Sequence, residues 1–328
     1  MKFGVIGPLW SDSKADLVLH GLNLLGIENV WLGEIKLNSK LKNYVKIQAN
    51  KAFFKLDLIS QSKIFDAAVK NKVSHILSVE QELHPGMVKK FKEIGVIVGI
   101  WFPDGVGNIS SRQYIFACDY DGVFVTDHKL ANRMVNIYGL KAHYLPECAS
   151  LEWHSSSVKF GTFPYCVLIG NYYPTRLMLI KRLYQDGIPI KLFGARIPKW
   201  IPSDLVGKID VKPSVFKNEK ANIFRSYSAV LNINHIFDVS STNQRLFEAT
   251  AAGGAVVTEY VDEIDELFEI GKEVFVYQNY NELFENLTKL MSDTKLGETT
   301  GDKAAIRTLS NHTIDKRLSF IVNKLHYL

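Results

Sequence analysis

Arg245 and Glu248 stand three positions apart, just after a predicted buried strand. The preceding Ser241, Thr242 and Asn243 are common helix caps, and a helix start exposes unpaired N–H groups and a positive dipole end. Residues three apart on a helix share a face, so two interpretations are open. In one, Arg245 and Glu248 form a surface ion pair worth under about 1 kcal/mol. In the other, Arg245 faces a phosphate and Glu248 accepts hydrogen bonds from the vicinal hydroxyls of a ribose.

Small residues follow this pair. The segment 249–254 reads Ala-Thr-Ala-Ala-Gly-Gly. It predicts a thin helix that ends early, and its glycine pair allows a tight turn into the next strand. A thin helix lets its start approach a ligand closely, which favours the second interpretation.

Two glycines end other apolar runs of the second half. Gly170 ends YCVLIG and is followed by a helix start that carries Arg176. A guanidinium at a helix start suits a phosphate, although a plain surface arginine is the alternative. Gly194 ends PIKLFG, and the loop after it is placed to contact a base or ribose.

These residues belong to a chain with an alternating pattern of apolar runs and helical segments, which is typical of α/β proteins. Several runs are apolar without alternation, as in parallel strands covered on both faces. The predicted strands are 2–7, 29–33, 75–80, 96–102, 122–127, 165–170, 189–194, 208–212, 228–234, 254–260 and 273–278. Helical spacing appears in 13–26, 84–95, 175–187, 281–293 and 315–328.

The pattern restarts after a polar stretch at 150–164. We therefore expect two Rossmann-like domains, 1–157 and 158–310, which face each other across a cleft. A helix within 311–328 is expected to pack back on the first domain. The length of 328 residues fits two domains.

Composition narrows the class of protein. The chain is 47% hydrophobic and 22% charged. It contains no run of about 18 uncharged apolar residues, so a membrane-spanning helix is not expected. The N-terminus reads as a first strand rather than a signal peptide. The three cysteines have no CxxC spacing, which fits a reducing cytosol and argues against a zinc site.

The net charge of +5 is unevenly distributed. From Lys36 to Lys55 there are six lysines and no acid, so this segment is either a solvated basic face or a contact for an anionic membrane or acidic acceptor. No nucleic-acid-binding motif appears. The motifs of dinucleotide-binding and P-loop enzymes are also absent. Asp119 and Asp121 form a DxD pair, but it precedes a predicted strand and is interpreted as a polar turn.

The segment RLFEATAAGGAVVTEYVDEIDELFEIGKEVFVYQNYNELFENL (245–287) resembles the C-terminal domain of GT-B glycosyltransferases. It looks most like the CgeB-like (spore maturation protein) branch of the group 1 enzymes. The similarity continues upstream through VLIGNYYPTRLMLIKRLYQDGIPIKLFG (167–194). It is looser in WFPDG, YDGVFVTD and AHYLPECAS of the first half.

The resemblance implies a metal-independent enzyme that moves a sugar from a UDP- or GDP-sugar to a hydroxyl, with no further cofactor. The donor is expected in the second domain and the acceptor in the first. Expected donor contacts are Glu248 on the ribose, Thr242, Asn243 and Arg245 along the diphosphate and sugar, Arg176 also on the diphosphate, and Gly170 and Gly194 under the nucleotide.

One position departs from the family pattern. Retaining relatives often carry a second Glu eight positions before the ribose Glu, and Ser240 stands there. Asp238 is the candidate to contact the sugar instead. The stereochemistry and the sugar stay open.

Sugar transfer also needs a base for the acceptor hydroxyl. Asp104 in WFPDG is the first candidate, with a turn aspartate that bonds its own backbone as the alternative. His128 is the second, unless it caps a helix. Glu80 and Trp10 are expected on the acceptor side, where Trp10 and Trp101 either stack on a sugar or pack in the core.

These observations predict a cytoplasmic glycosyltransferase, peripheral at the inner membrane, that acts on a bacterial surface glycan, lipid-linked or protein acceptor. A nucleotide-sugar epimerase and a non-catalytic binding module are the alternatives.

Overall fold

The computed structural model describes residues 1–35, 45, 53–109, 112–203, 211–236, 238 and 240–326. Most of the basic segment between Lys36 and Lys55 lies outside these residues. The chain divides into two units, Met1–Pro146 with Ile314–Leu328, and Glu147–Thr313. The sequence had placed this boundary after residue 157. No helix of the described ranges is long and apolar enough to cross a membrane.

The first domain is built on a parallel sheet in the order β2-β1-β3-β4-β5-β6. Its strands are β1 (Lys2–Ile6), β2 (Glu28–Gly33), β3 (His75–Val79), β4 (Ile97–Phe102), β5 (Gly122–Val125) and β6 (Ala142–Tyr144). Its helices before the chain leaves the domain are α1 (Lys14–Leu24), α2 (Phe54–Ser60), α3 (Ser62–Lys70), α4 (Pro85–Glu93), α5 (Tyr114–Ala117) and α6 (His128–Asn136).

The second domain repeats this plan with a parallel sheet in the order β12-β11-β10-β7-β8-β9. Its strands are β7 (Phe163–Ile169), β8 (Ile190–Phe193), β9 (Val211–Lys212), β10 (Tyr227–Asn232), β11 (Val256–Glu259) and β12 (Phe275–Tyr277). Its helices are α7 (Leu151–His154), α8 (Pro174–Gln185), α9 (Lys217–Ser226), α10 (Gln244–Ala251), α11 (Ile264–Leu267), α12 (Tyr280–Ser292) and α13 (Thr294–Asn311).

Helices cover both faces of the second sheet. Leu168 and Leu231 pack in one core with residues of α8 and α12, whereas Val167 and Val230 pack in another with residues of α9 and α10. Strands buried on both faces explain why their sequences are apolar without alternation.

The chain ends in α14 (Ile314–His326), which lies in the first domain. Gly21 of α1 makes this contact possible, because a Cβ atom there would lie 2.5 Å from Leu318 Cδ1. The Arg317 Nε atom also donates to the Pro146 carbonyl at 2.9 Å.

The two parallel sheets confirm the predicted α/β class with two Rossmann-like domains. The sequence missed β6, whose three residues are too few to show a pattern. Of the predicted strand 208–212, the described residues include only Val211–Lys212.

Candidate functional site

The candidate site lies at the carboxyl edge of the second sheet. There β7 and β10 are neighbours. The next strand after β7 is β8, toward one edge of the sheet, and the next after β10 is β11, toward the other edge. Such a topological switch point is where open α/β sheets bind ligands. The segments that follow β7 and β10 carry Arg176 and Arg245.

Arg176 lies in the first turn of α8 and is buried. Its Nη1 atom donates to the Asn171 carbonyl at 2.5 Å, and its Nη2 atom donates to the Ile233 carbonyl at 2.7 Å. The guanidinium thus ties together the two segments that follow β7 and β10. Burial, and then the positive charge of Arg245, lower the pKa of Arg176 to about 10, so it remains charged at neutral pH.

Arg245 is the second residue of α10, and its guanidinium lies over Gly170. A Cβ atom at Gly170 would lie only 2.8 Å from Arg245 Cζ. The Nε atoms of Arg245 and Arg176 are both buried without a hydrogen-bond partner among the described residues. No described carboxylate forms an ion pair with either arginine. Two neighbouring cations with unused donors form a site that suits an anion.

The start of α10 supplies more unused polar groups. Asn243 is the N-cap, since its Oδ1 atom accepts from Leu246 N at 3.2 Å, and its Nδ2 atom donates to Asn234 Oδ1 at 2.9 Å. Thr242 N donates to Glu263 Oε2. The Thr242 Oγ1 and Asn234 Nδ2 atoms are buried and have no partner in the described part of the chain.

Glu248 does not pair with Arg245, so the surface ion pair considered from the sequence is wrong. Its carboxylate is buried, and its Oε1 atom lies 2.7 Å from Lys220 Nζ and 3.7 Å from His154 Nε2. Gln244 Nε2 donates to the same oxygen at 2.9 Å. Lys220 and His154 gave no signal in the sequence, because neither belongs to a recognisable motif.

Gly194 and Asp238 lie between the two arginines along the chain. A Cβ atom at Gly194 would lie 2.0 Å from the Gly170 carbonyl oxygen, so the ends of β7 and β8 approach closely only because this residue is glycine. Asp238 Oδ2 accepts from His235 N at 3.2 Å. Burial, and then the negative charge of Asp238, raise the pKa of Glu259 at the end of β11. Glu259 lies within a predicted apolar strand, and no motif in the sequence marks it.

The predicted acceptor residues lie at the carboxyl edge of the first sheet. Asp104 follows β4 and is exposed, and Glu80 follows β3 with a left-handed φ of 62°. Trp10 is 58% exposed, whereas Trp101 is fully buried, so a sugar-stacking role for Trp101 is wrong.

His128 is the first residue of α6, and its ring stacks on Tyr144 with 3.5 Å between centroids. The cap of α6 is Asp127, whose Oδ1 atom accepts from Leu130 N at 2.8 Å. The histidine is therefore not needed as the cap.

The DxD pair has a structural role. Asp119 and Asp121 lie 2.5 Å and 3.1 Å from Lys92 Nζ, in the turn that enters β5. Asp121 also accepts from Val98 N at 2.9 Å. These contacts confirm the polar turn.

Known structures define the class of this fold. The chain matches sucrose-phosphate synthase from Thermosynechococcus elongatus with a TM-score of 0.71 and 11% identity, over 99% of each chain. It matches a glycosyltransferase from Rickettsia africae ESF-5 with a TM-score of 0.67 and 11% identity, over 99% of this chain and 98% of that one. It matches HepE from Anabaena, solved in complex with UDP and glucose, with a TM-score of 0.67 and 12% identity, over 100% of both chains. This is the GT-B fold of two Rossmann-like domains.

The second domain also matches a sequence family. The family model described as glycosyl transferase-like covers residues 176–323, which include Arg176, Arg245 and Glu248. No curated protein sequence matches the chain. The chain is thus similar to glycosyltransferases in fold throughout and in sequence over most of its second domain.

Proposed function

We propose that this protein is a glycosyltransferase that moves a sugar from a nucleoside diphosphate sugar to a hydroxyl acceptor. One observation carries the proposal, namely the cationic site of Arg176 and Arg245, which has no described counter-ion at the switch point of the second sheet. The family match and the GT-B fold support the same reaction class. HepE, one of the structural neighbours, has been solved with UDP-glucose.

The donor diphosphate is assigned to Arg245 and Arg176, with the N–H groups at the start of α10. Thr242 and Asn243 line the same pocket, and their position beside unused polar atoms supports this role. Gly170 and Gly194 lie under the nucleotide, where only a bare backbone leaves room. Glu248 binds the ribose and Asp238 contacts the sugar. The co-substrate is a UDP- or GDP-sugar.

In the reaction, the bond between the sugar C1 and the diphosphate oxygen breaks as a bond between C1 and the acceptor oxygen forms. The two guanidiniums stabilise the charge on the leaving diphosphate, so the reaction needs no metal or further cofactor. The acceptor proton passes to a base of the first domain, Asp104 or His128. Glu80 and Trp10 bind the acceptor.

The finer assignments are also proposals. The resemblance in 245–287 supports membership of the CgeB-like branch. The acceptor that we propose on this basis is a bacterial surface glycan, a lipid-linked sugar or a protein. The six lysines between Lys36 and Lys55 support a cytoplasmic protein held at the inner membrane. Failure to sediment with vesicles that contain phosphatidylglycerol would contradict the membrane contact.

Calorimetry with UDP, GDP and their sugars tests the donor site. Charge-assisted hydrogen bonds contribute about 1.5–3 kcal/mol, so Arg245→Gln should weaken nucleoside diphosphate binding by roughly 10- to 150-fold. Arg133→Gln is the matched control, because Arg133 is exposed on α6 of the first domain. EDTA should leave the affinity unchanged. If wild-type protein binds none of these nucleotides, the proposed function is wrong.

Product analysis separates the classes of activity. Transfer or slow hydrolysis of the donor sugar supports a transferase. If Asp104→Asn or His128→Gln reduces this activity at least about tenfold while nucleotide affinity is unchanged, the residue changed is supported as the base. An epimerised sugar formed without acceptor identifies an epimerase. Binding without any turnover identifies a binding module.

A further inference from the structure

Glu248 lies in a buried polar cluster formed by α7, α9 and α10. Its side chain is 5% exposed and that of Lys220 is 8% exposed, at an Nζ–Oε1 distance of 2.7 Å. His154 Nε2, on α7, lies 3.7 Å from Oε1. A buried carboxylate is thus held by groups from two other segments of the domain.

These contacts are unequally shared between the two carboxylate oxygens. Lys220, His154 and Gln244 all reach Oε1. Within the described ranges, no residue donates a hydrogen bond to Oε2. A carboxylate oxygen has two lone pairs, so Oε2 keeps its capacity to accept from a ligand.

Stability does not account well for such a pair. Replacing a buried ion pair with apolar residues of similar volume is often neutral or stabilising, because both charges must leave water. Removing one partner alone leaves an uncompensated charge. The arrangement does restrict the rotamer of Glu248, since Lys220 approaches from α9 and Gln244 from one turn earlier in α10.

We infer that Lys220 is a positioning residue, which fixes Glu248 through Oε1 so that Oε2 accepts hydrogen bonds from the ribose hydroxyls of the donor nucleotide. This inference rests on the proposed nucleotide-sugar function. Lys220 itself does not touch the ligand in this arrangement. Its loss should therefore affect recognition of the ribose hydroxyls and spare recognition of the diphosphate by Arg245.

Paired nucleotides isolate this effect. Dissociation constants are measured by calorimetry for UDP against 2′-deoxy-UDP, and for GDP against 2′-deoxy-GDP. One charge-assisted hydrogen bond should make wild-type protein bind the ribose form about tenfold more tightly. In Lys220→Met, we expect this ratio to fall to within about twofold, while affinity for the deoxy form stays within about threefold.

Two further variants serve as controls. Lys220→Arg keeps a cation beside Glu248 and should restore part of the ribose preference. Lys295→Met removes an exposed lysine of α13 in the same domain and should keep the full wild-type ratio. If circular dichroism shows that Lys220→Met does not fold, Lys220→Gln is judged by the same ratio.

The outcomes are distinct. An unchanged ribose preference in Lys220→Met, or an equal loss for both nucleotide forms, overturns the role of Lys220 while the donor site stands. Equal wild-type affinity for ribose and deoxyribose forms overturns the inference through Glu248. Wild-type protein that binds no nucleoside diphosphate overturns the proposed function, and the inference with it.

Discussion

The contact between Gly194 and the end of β7 predicts a large effect of Gly194→Ala. Gly194 has a φ of 152°, and a Cβ atom there would lie 2.0 Å from the Gly170 carbonyl oxygen. That oxygen cannot move freely, because Gly170 N donates to Phe193 O at 2.8 Å and Gly194 N donates to Lys212 O at 3.1 Å. The ends of β7, β8 and β9 must therefore shift together.

Gly187→Ala is a matched control that separates two costs. Gly187 also has a positive φ, 88°, but a Cβ atom there would meet no atom within 4 Å. This control measures backbone strain alone, about 1–2 kcal/mol. Gly194→Ala adds an overpacking cost of about 1–3 kcal/mol to a comparable strain, so we expect about 2–5 kcal/mol in total. Total stability is commonly about 5–15 kcal/mol, so the difference is measurable.

Urea unfolding followed by far-UV circular dichroism measures both variants against wild type. Hydrogen exchange at the ends of β7 and β8 should show faster opening in Gly194→Ala only. Binding of UDP should weaken in that variant, since Arg245 lies over Gly170. Equal unfolding midpoints for Gly194→Ala and Gly187→Ala would refute the reasoning from this contact.

Three other predictions test the cap, the tryptophans and the thiols. Asn243→Ala and its matched cap control Asn279→Ala should each lose about 1 kcal/mol of stability in urea, but only the first should weaken UDP binding. Equal UDP affinities would contradict a ligand-facing start of α10. Trp101→Ala should lower the free energy of unfolding by about 3–5 kcal/mol, because Trp101 is fully buried. Trp10→Ala should change it by no more than about 0.5 kcal/mol and should raise the acceptor KM, because Trp10 is exposed. A stable Trp101→Ala would contradict its core position. Ellman's reagent should label none of the three buried cysteines, Cys118, Cys148 and Cys166, in the native protein and all three after unfolding. Burial raises the pKa of the Cys118 and Cys166 thiols to about 12, so neither forms much thiolate at neutral pH. A thiol that reacts in the native protein would contradict this prediction.

Much of the fold was predictable because its strands are buried on both faces. Apolar runs marked eleven of the twelve strands in the described residues, as in YCVLIG for β7 and SAVLNIN for β10. The missed strand β6 has three residues, which is shorter than any useful window. Both sheets pair by parallel crossovers, so alternation of strands and helices along the chain was enough to predict the class.

The candidate site was predictable only in part. Asn243, Arg245 and Gly170 could be selected because each follows a predicted strand. Asn243 suits a helix cap, Arg245 suits an anionic ligand, and Gly170 leaves room for close approach to the backbone. Asn232 and Asn234 were visible as polar residues at the end of an apolar run, yet their unused atoms appear only in the structure. The roles assigned to these residues in catalysis and binding stay predictions.

The sequence by itself determined the parallel α/β class, the helix start after β10 and the small residues that let α10 lie close to its neighbours. These depend on local periodicity and on the stereochemistry of single residues. Only the tertiary structure decided that Arg245 lies over Gly170, that Arg176 ties two loops together, and that Glu248 pairs with Lys220 rather than with Arg245. Such partners come from distant segments, and which long side chain meets which is set by how helices pack on the sheet.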